Sequence, residues 1–278
     1  MENLVTHEVI NLLFVLSLAS FVAGFMAGLL GVGGGLVIVP ALYFAFSSLN
    51  FEIETKMHLA LGTSLAIIIP TSIMSTRTHM KYNAVDFGLI KSFGIYIVIG
   101  VLAGTLFAYK LKTAELVLFF SIFAFLVGIF FIFLKNKLEE SERNIPRILK
   151  ITIGSLIGFI SVPLGIGGGS LSVPFMRLFG YDMRKAIGTS AAIGIVIAIT
   201  GTFSMISSGS LFANVKSPYS FGYFNLAGFL VFVPITILAA PIGAKVVHNI
   251  SRPLISKIFG IYLIIMSIKS FQEYLTIR

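Results

Sequence analysis

Several stretches of this chain run close to the roughly 20 apolar residues that a helix needs to cross a hydrocarbon core, with almost no charge inside them. Residues 9–30, 59–76, 116–134, 151–166, 186–208 and 221–244 contain no Asp, Glu, Lys or Arg. Residues 87–109 contain Lys91 alone, and 254–268 contain Lys257 alone. In lipid a backbone must satisfy its own hydrogen bonds, so such runs predict transmembrane helices. Composition agrees, with 57% of the 278 residues hydrophobic and 11% charged, where a soluble domain has about a quarter charged. The expected fold class is an all-α polytopic membrane protein.

A net charge of +9 would suggest a nucleic-acid partner for a soluble protein. Here Lys and Arg fall almost wholly in the short connections, where such residues hold loops on the cytoplasmic side of a membrane. Membrane lipid, and not nucleic acid, is the expected partner, and the cytoplasmic membrane the expected location. The absence of cysteine excludes disulfides, thiolate catalysis and cysteine-based metal sites. No His/Asp/Glu cluster has metal-ligand spacing, no Ser/His/Asp arrangement is readable, and neither a cofactor motif nor a nucleotide-binding domain is present. The chain does not read as an enzyme. No Lys or Arg precedes Lys56, so the first apolar run lacks the basic flank of a cleaved signal and is expected to be retained.

The apolar runs are organised as a tandem duplication. Residues 24–40, GFMAGLLGVGGGLVIVP, lie over residues 158–174, GFISVPLGIGGGSLSVP, without a gap. Gly24 matches Gly158, Phe25 matches Phe159, Gly31 matches Gly165, the triple glycines coincide, and Pro40 matches Pro174. The run ALGTS at 60–64 then matches AIGTS at 186–190, and Gly100 and Gly104 pair with Ala239 and Gly243. The first repeat covers residues 1–135, a polar connection 136–147, and the second repeat 148–278. In transporter folds such repeats place the substrate site between the halves.

Each Gly run separates a long apolar segment from a short one, at 36–46 and 171–179. If each pair crossed the membrane once, basic residues would divide almost evenly between the two sides. If each returns as a re-entrant hairpin, the connections after residues 76, 134, 179 and 244 share one side, which then holds most of the Lys and Arg. The charge rule favours the hairpin. Each half then has an odd number of full crossings, so the expectation is inverted repeats with both termini facing outward.

A Gly break inside an apolar run frees backbone groups that are tolerated at membrane depth only inside protein or beside a wet cavity. Gly33, Gly34 and Gly35, with Gly167, Gly168 and Gly169, are therefore candidate substrate-binding positions. The helix restarting after each break presents unpaired N–H groups and a positive dipole end, which suits an anion. Close helix packing is the competing account of the same glycines. Thr63, Ser64, Thr189 and Ser190 are paired hydroxyls at equivalent places that could donate to substrate oxygens, although bonding back to the preceding helical turn is an alternative. Ser170 and Ser172 stand where the first half has Leu36 and Ile38, an asymmetry suited to a substrate without twofold symmetry. Arg77 and Lys91 are candidates for anion attraction. Snorkelling explains Arg77, Arg177 and Lys245 more simply, and surface placement is expected for His58 and His79 despite their capacity to carry protons.

The duplicated G-x-G-G-G followed by an apolar stretch and Pro, with G-T-S at the head of a later helix, resembles the sulfite exporter TauE/SafE family over nearly the whole chain. The resemblance implies a membrane permease for sulfur-containing or carboxylated organic anions, such as sulfite, thiosulfate, sulfoacetate or related sulfonates. Secondary transport of a small anion by alternating access is then the expected function, with no cofactor. The alternative is a non-transporting membrane anchor for an enzyme of sulfur metabolism. That role calls for a substantial exposed domain, for which the polar connection is too short.

Overall fold

The computed structural model describes residues 2–133, 145–213, 215–249 and 253–278. Its helices in chain order are α1 (Glu2–Leu30), α2 (Gly35–Ser48), α3 (Ile53–Met80), α4 (Phe87–Lys110), α5 (Thr113–Phe133), α6 (Arg147–Leu164), α7 (Gly169–Leu178), α8 (Met183–Ser208), α9 (Leu226–Asn249) and α10 (Pro253–Ile277). A π-helical turn, Gly209–Ala213, extends α8. Among the described residues eight helices are long and apolar enough to cross a membrane, so this is a polytopic all-α membrane protein. Most of the polar connection expected at 136–147 lies outside the described residues, and by Arg147 the chain is already in α6.

Local chemistry sets several boundaries. Asp86 caps α4 by accepting from Leu89 N, and Asp182 caps α8 by accepting from Arg184 N and Lys185 N. The span expected from residue 221 begins later, at Leu226. Ahead of it Ser220–Phe221 and Phe224–Asn225 pair as a small antiparallel hairpin, and Asn225 Oδ1 accepts from Gly228 N at the start of α9. Hydropathy alone does not register that polar cap.

The spans of α3 and α8 are the most enclosed, 78% and 72% buried against 22% for α10. They run antiparallel, with Leu65 against Gly201 and Ser72 against Gly194. Around them the other helices pair reciprocally. Carbonyls of α9 stand against Gly24 and Gly28 of α1, while Ile97 of α4 meets Gly158 of α6. In the sequence correspondence Gly24 matches Gly158 and Thr236 matches Ile97, so the two contacts are equivalent. The outer pair, α5 and α10, is also antiparallel. Gly128 faces Gly260, and Ser121 and Ser267 each donate to the other's carbonyl at 2.9 Å.

The two ends of the bundle differ in charge. At one end His79 of α3 meets His248 of α9, and Ala84, just before α4, meets Gly188 near the start of α8. Arg77, Lys81, Arg184, Lys185 and Lys245 belong to this end. At the other, His58 Nε2 reaches Ala108 O and Thr113 Oγ1 donates to Glu54 O, so Lys56, Lys110 and Lys112 lie there.

Small residues let these helices approach backbone to backbone. A methyl added at Gly104 would overlap the Phe159 carbonyl, and one at Gly243 would overlap that of Phe25. The equivalence of Gly104 with Gly243 read from the sequence thus coincides with equivalent contacts. Gly94, by contrast, has nothing within 4 Å of where its Cβ would stand. Gly104→Val and Gly243→Val should each destabilise the bundle by about 1–3 kcal/mol or more through overpacking, whereas Gly94→Ala should be neutral or stabilising. Thermal unfolding in detergent checks this ordering.

Candidate substrate site

α1 ends at Leu30, and the next residues cannot continue it. Gly31, Gly33 and Gly34 have φ of 67°, 77° and 79°, in the left-handed region that glycine enters without steric cost. A Cβ on Gly34 would stand 2.6 Å from Ala23 O, so the chain has turned back along α1 before α2 begins at Gly35. The second break follows the same course. Gly165 and Gly168 have φ of 60° and 74°, and Gly168 lies beside Ile157 and Ser161 of α6. The two turns meet between α3 and α8. A Cβ on Gly33 would be 3.2 Å from Gly167 Cα, and both glycines lie against Ile68.

The Thr-Ser pairs tie this arrangement together. Ser64 Oγ donates to Gly165 O at 2.7 Å, and Ser190 Oγ donates to Gly31 O at 3.0 Å, so each break is held by a serine from the opposite half. Ser190 also shares a 2.9 Å hydrogen bond with Ser172, a contact with no counterpart in the first half, where Ile38 stands. Thr63 Oγ1 accepts from Asn225 N, and Thr189 Oγ1 accepts from Asp86 N, both at 2.9 Å. All four hydroxyl residues are fully buried. Neither back-bonding to their own helix nor an open donor face describes them in this conformation.

The expected positions therefore divide. Gly33, Gly34, Gly35, Gly167, Gly168 and Gly169 come together with Ser64, Ser190 and Ser172, while Thr63 and Thr189 sit where loops join the central helices. Ser170, in the first turn of α7, is 3% exposed and has no hydrogen-bond partner. Arg77 and Lys91 are exposed and stand away from the turns, near the basic end. Sequence reasoning did not single out Ser72, Ser75 and Thr76 of α3 or Thr202 of α8, which are also buried and without partners. Their signal was present as hydroxyls recurring at helical spacing within apolar spans.

Three expectations of surface placement are corrected. His79 is fully buried, with Nε2 hydrogen-bonded to Gly28 O at 2.9 Å and Nδ1 3.1 Å from His248 Nε2. Because Gly28 O can only accept, His79 Nε2 carries a proton. His58 is likewise buried, its Nε2 at 3.1 Å from Ala108 O and its ring stacked on Tyr223. Arg177 does not snorkel outward but is 7% exposed and donates from Nη1 to Tyr181 O at 2.7 Å. In each case a carbonyl near a helix end makes burial of the polar side chain tolerable. Among the described residues no group of three or more His, Asp or Glu side chains is placed to hold a metal ion.

Residues 16–270 match the family model described as sulfite exporter TauE/SafE. The chain belongs to the sulfite exporter TauE/SafE family. Both glycine turns and both Thr-Ser pairs fall inside the matched region. Relatives of this TauE/SafE chain include a probable membrane transporter protein of Haemophilus influenzae, 31% identical over 92% of this chain and 97% of the relative. Another, from Methanocaldococcus jannaschii, is 28% identical over 91% and 95%, and the Bacillus subtilis protein YunE is 29% identical over 93% and 97%. Both are also named probable membrane transporter proteins.

Since Ser64 and Ser190 satisfy carbonyls that the helix breaks leave open, removing either hydroxyl strands a buried acceptor. Ser64→Ala should lower the stability of this TauE/SafE protein by about 1–3 kcal/mol. Ser190→Ala should cost more, because Ser172 also loses a partner. Denaturation of the purified variants in detergent measures both losses.

Proposed function

We propose that this chain is a secondary transporter of a small anion, namely sulfite, thiosulfate, a sulfonate or a related organic anion, and that the two glycine turns form its central site. The observation that carries this reading is the meeting of two broken helices at Gly33 and Gly167, deep between the most buried spans. α2 and α7 restart there. The N–H groups of Val37 and Leu171 bond back to Gly34 O and Gly168 O, which leaves those of Gly35, Leu36, Gly169 and Ser170 without intrahelical partners, and the helix dipoles place positive ends at the junction. Among the described residues no Asp or Glu is buried, so no carboxylate opposes an anion inside the bundle. The family description points to sulfur oxyanions, and the relatives' printed names point to transport.

The proposed mechanism is alternating access between inverted halves. It is supported by the antiparallel runs of α3 against α8 and of α5 against α10, and by the reciprocal contacts across Gly33 and Gly167. The excess of Lys and Arg at the end holding Arg77, Lys81, Arg184 and Lys185 supports a cytoplasmic orientation for that end. In the cycle the two turns are reached alternately from either end, and the anion exchanges its hydration for N–H and O–H donors.

Uptake of sulfite, thiosulfate, a sulfonate and acetate into vesicles containing the purified protein, with chloride as control, tests the proposal. Saturable, mutually competitive uptake of one class is expected, and none for any of them rejects it. Gly167→Ala is the informative variant. Its methyl would meet Ile68, Gly33 and Gly194 at 3.3–3.5 Å, which is ordinary or slightly close contact, and Gly167 is not among the positive-φ glycines. The variant should stay folded and lose at least tenfold in uptake rate. Bulky residues at Gly34 or Gly168 would add backbone strain and confuse folding with function.

A further inference from the structure

Buried hydroxyls in this bundle are usually engaged. Ser20, Thr71, Thr105, Ser161 and Ser172 each donate to the carbonyl four residues earlier. Ser208, at the end of α8, and Ser217, in the loop after it, lack partners away from the centre; within the bundle, Ser72, Ser75 and Thr76 of α3, Ser170 of α7 and Thr202 of α8 make no such bond. Each of the latter is at most 7% exposed, and none has a hydrogen-bond partner. A hydroxyl sealed from water with no acceptor or donor opposite it destabilises the fold, and alanine or valine would fill such positions without that cost.

Their placement follows the central contact. Ile68, Ser72 and Thr76 recur every four residues along one side of α3, and in the sequence correspondence their equivalents in the second half are Gly194, Ala198 and Thr202 of α8. Gly167 lies against both Ile68 and Gly194, and Ser72 Oγ would be 3.1 Å from a Cβ on Gly194. Because α3 and α8 are antiparallel, Thr76 lies toward the basic end and Thr202 toward the opposite end. Ser170 follows Gly167 by three residues, in the first turn of α7.

We infer that these hydroxyls line the path of the anion and that Ser72 is its specificity-determining contact. This rests on the transport reading above. Ser72 and Ser170 donate to substrate oxygens at the centre, beside the first-turn N–H groups of α7, and Thr76 and Thr202 are the donors met on approach from the two ends. All these donors are neutral, so the bound anion is held by several separate hydrogen bonds and not by a countercharge. An oxyanion with two or three acceptor oxygens can bridge them, whereas a halide presents a single centre.

The test uses the full chain in vesicles, with sulfite, thiosulfate and acetate uptake measured over a concentration series and thermal unfolding followed in parallel. Ser72→Ala should raise KM at least tenfold with Tm unchanged or higher, and Ser72→Thr, which keeps the hydroxyl, should recover most of the affinity. Thr76→Val and Thr202→Val should each slow uptake. An unchanged KM for Ser72→Ala, or a lowered Tm with KM unchanged, overturns the inference and assigns the hydroxyl a packing role. Absence of saturable uptake by the wild-type protein rejects the transport reading itself and removes this inference with it, a result distinct from wild-type uptake that the Ser72 variants leave intact.

Discussion

The carbonyl oxygens of Gly31 and Gly165 each accept a hydrogen bond from a serine of the opposite half, Ser190 and Ser64 respectively. Ending a helix inside an apolar protein leaves carbonyls open at its C-terminal end and N–H groups open where the next helix begins. Water satisfies both at a protein surface, but hydrocarbon satisfies neither. The two serines remove part of that penalty and fix the turns against α3 and α8 at the same time. The meeting of Gly33 with Gly167, the enclosure of α3 and α8, and the inward direction of α2 and α7 depend on these ties.

Backbone contact between helices is the second constraint. Gly28 of α1 stands against Ala240 O, Gly243 of α9 against Phe25 O, and Gly104 of α4 against Phe159 O. With no layer of side chains between them, such pairs have little room to slide, so α1 with α9 and α4 with α6 behave as two rigid arms. Thr63 with Asn225 and Thr189 with Asp86 each fasten the start of an arm helix to a central one, and the backbone contacts of Gly62 with Tyr223 O and of Gly188 with Ala84 O stand beside these ties.

Much of this architecture was legible in the sequence, because lipid imposes long apolar runs and the duplication aligned Gly24 with Gly158 and Gly31 with Gly165 before any contact was known. The glycine breaks were equally readable, since few residues other than glycine take the φ values found at Gly33, Gly34 and Gly168. What the sequence did not disclose was which hydroxyls are engaged. Ser64 and Ser72 look alike in an apolar span, yet one meets a carbonyl from a segment about a hundred positions away and the other meets none. Burial of His58, His79 and Arg177 was hidden for the same reason, as their partners Ala108, Gly28 and Tyr181 come from other turns or helices, or from a loop beyond the helix end.

The equivalence of the halves is closest where it builds the frame and weakest where the interior becomes polar. Thr63 and Thr189, Ser64 and Ser190, and the paired glycines make matching contacts. By contrast Ser72 corresponds to Ala198, Ile68 to Gly194, Leu36 to Ser170 and Ile38 to Ser172. Asp86, 3.7 Å from Lys185, likewise corresponds to the neutral Asn225. Frame contacts must be duplicated because both breaks present the same backbone groups to be satisfied. The proposed anion imposes no such demand, as its oxygens would need donors only in number and reach. Departures from symmetry at the centre are therefore free to serve that ligand, and they leave the unpaired hydroxyls Ser72 and Ser170 on elements of different halves, Ser72 beside Gly194 and Ser170 three residues after Gly167.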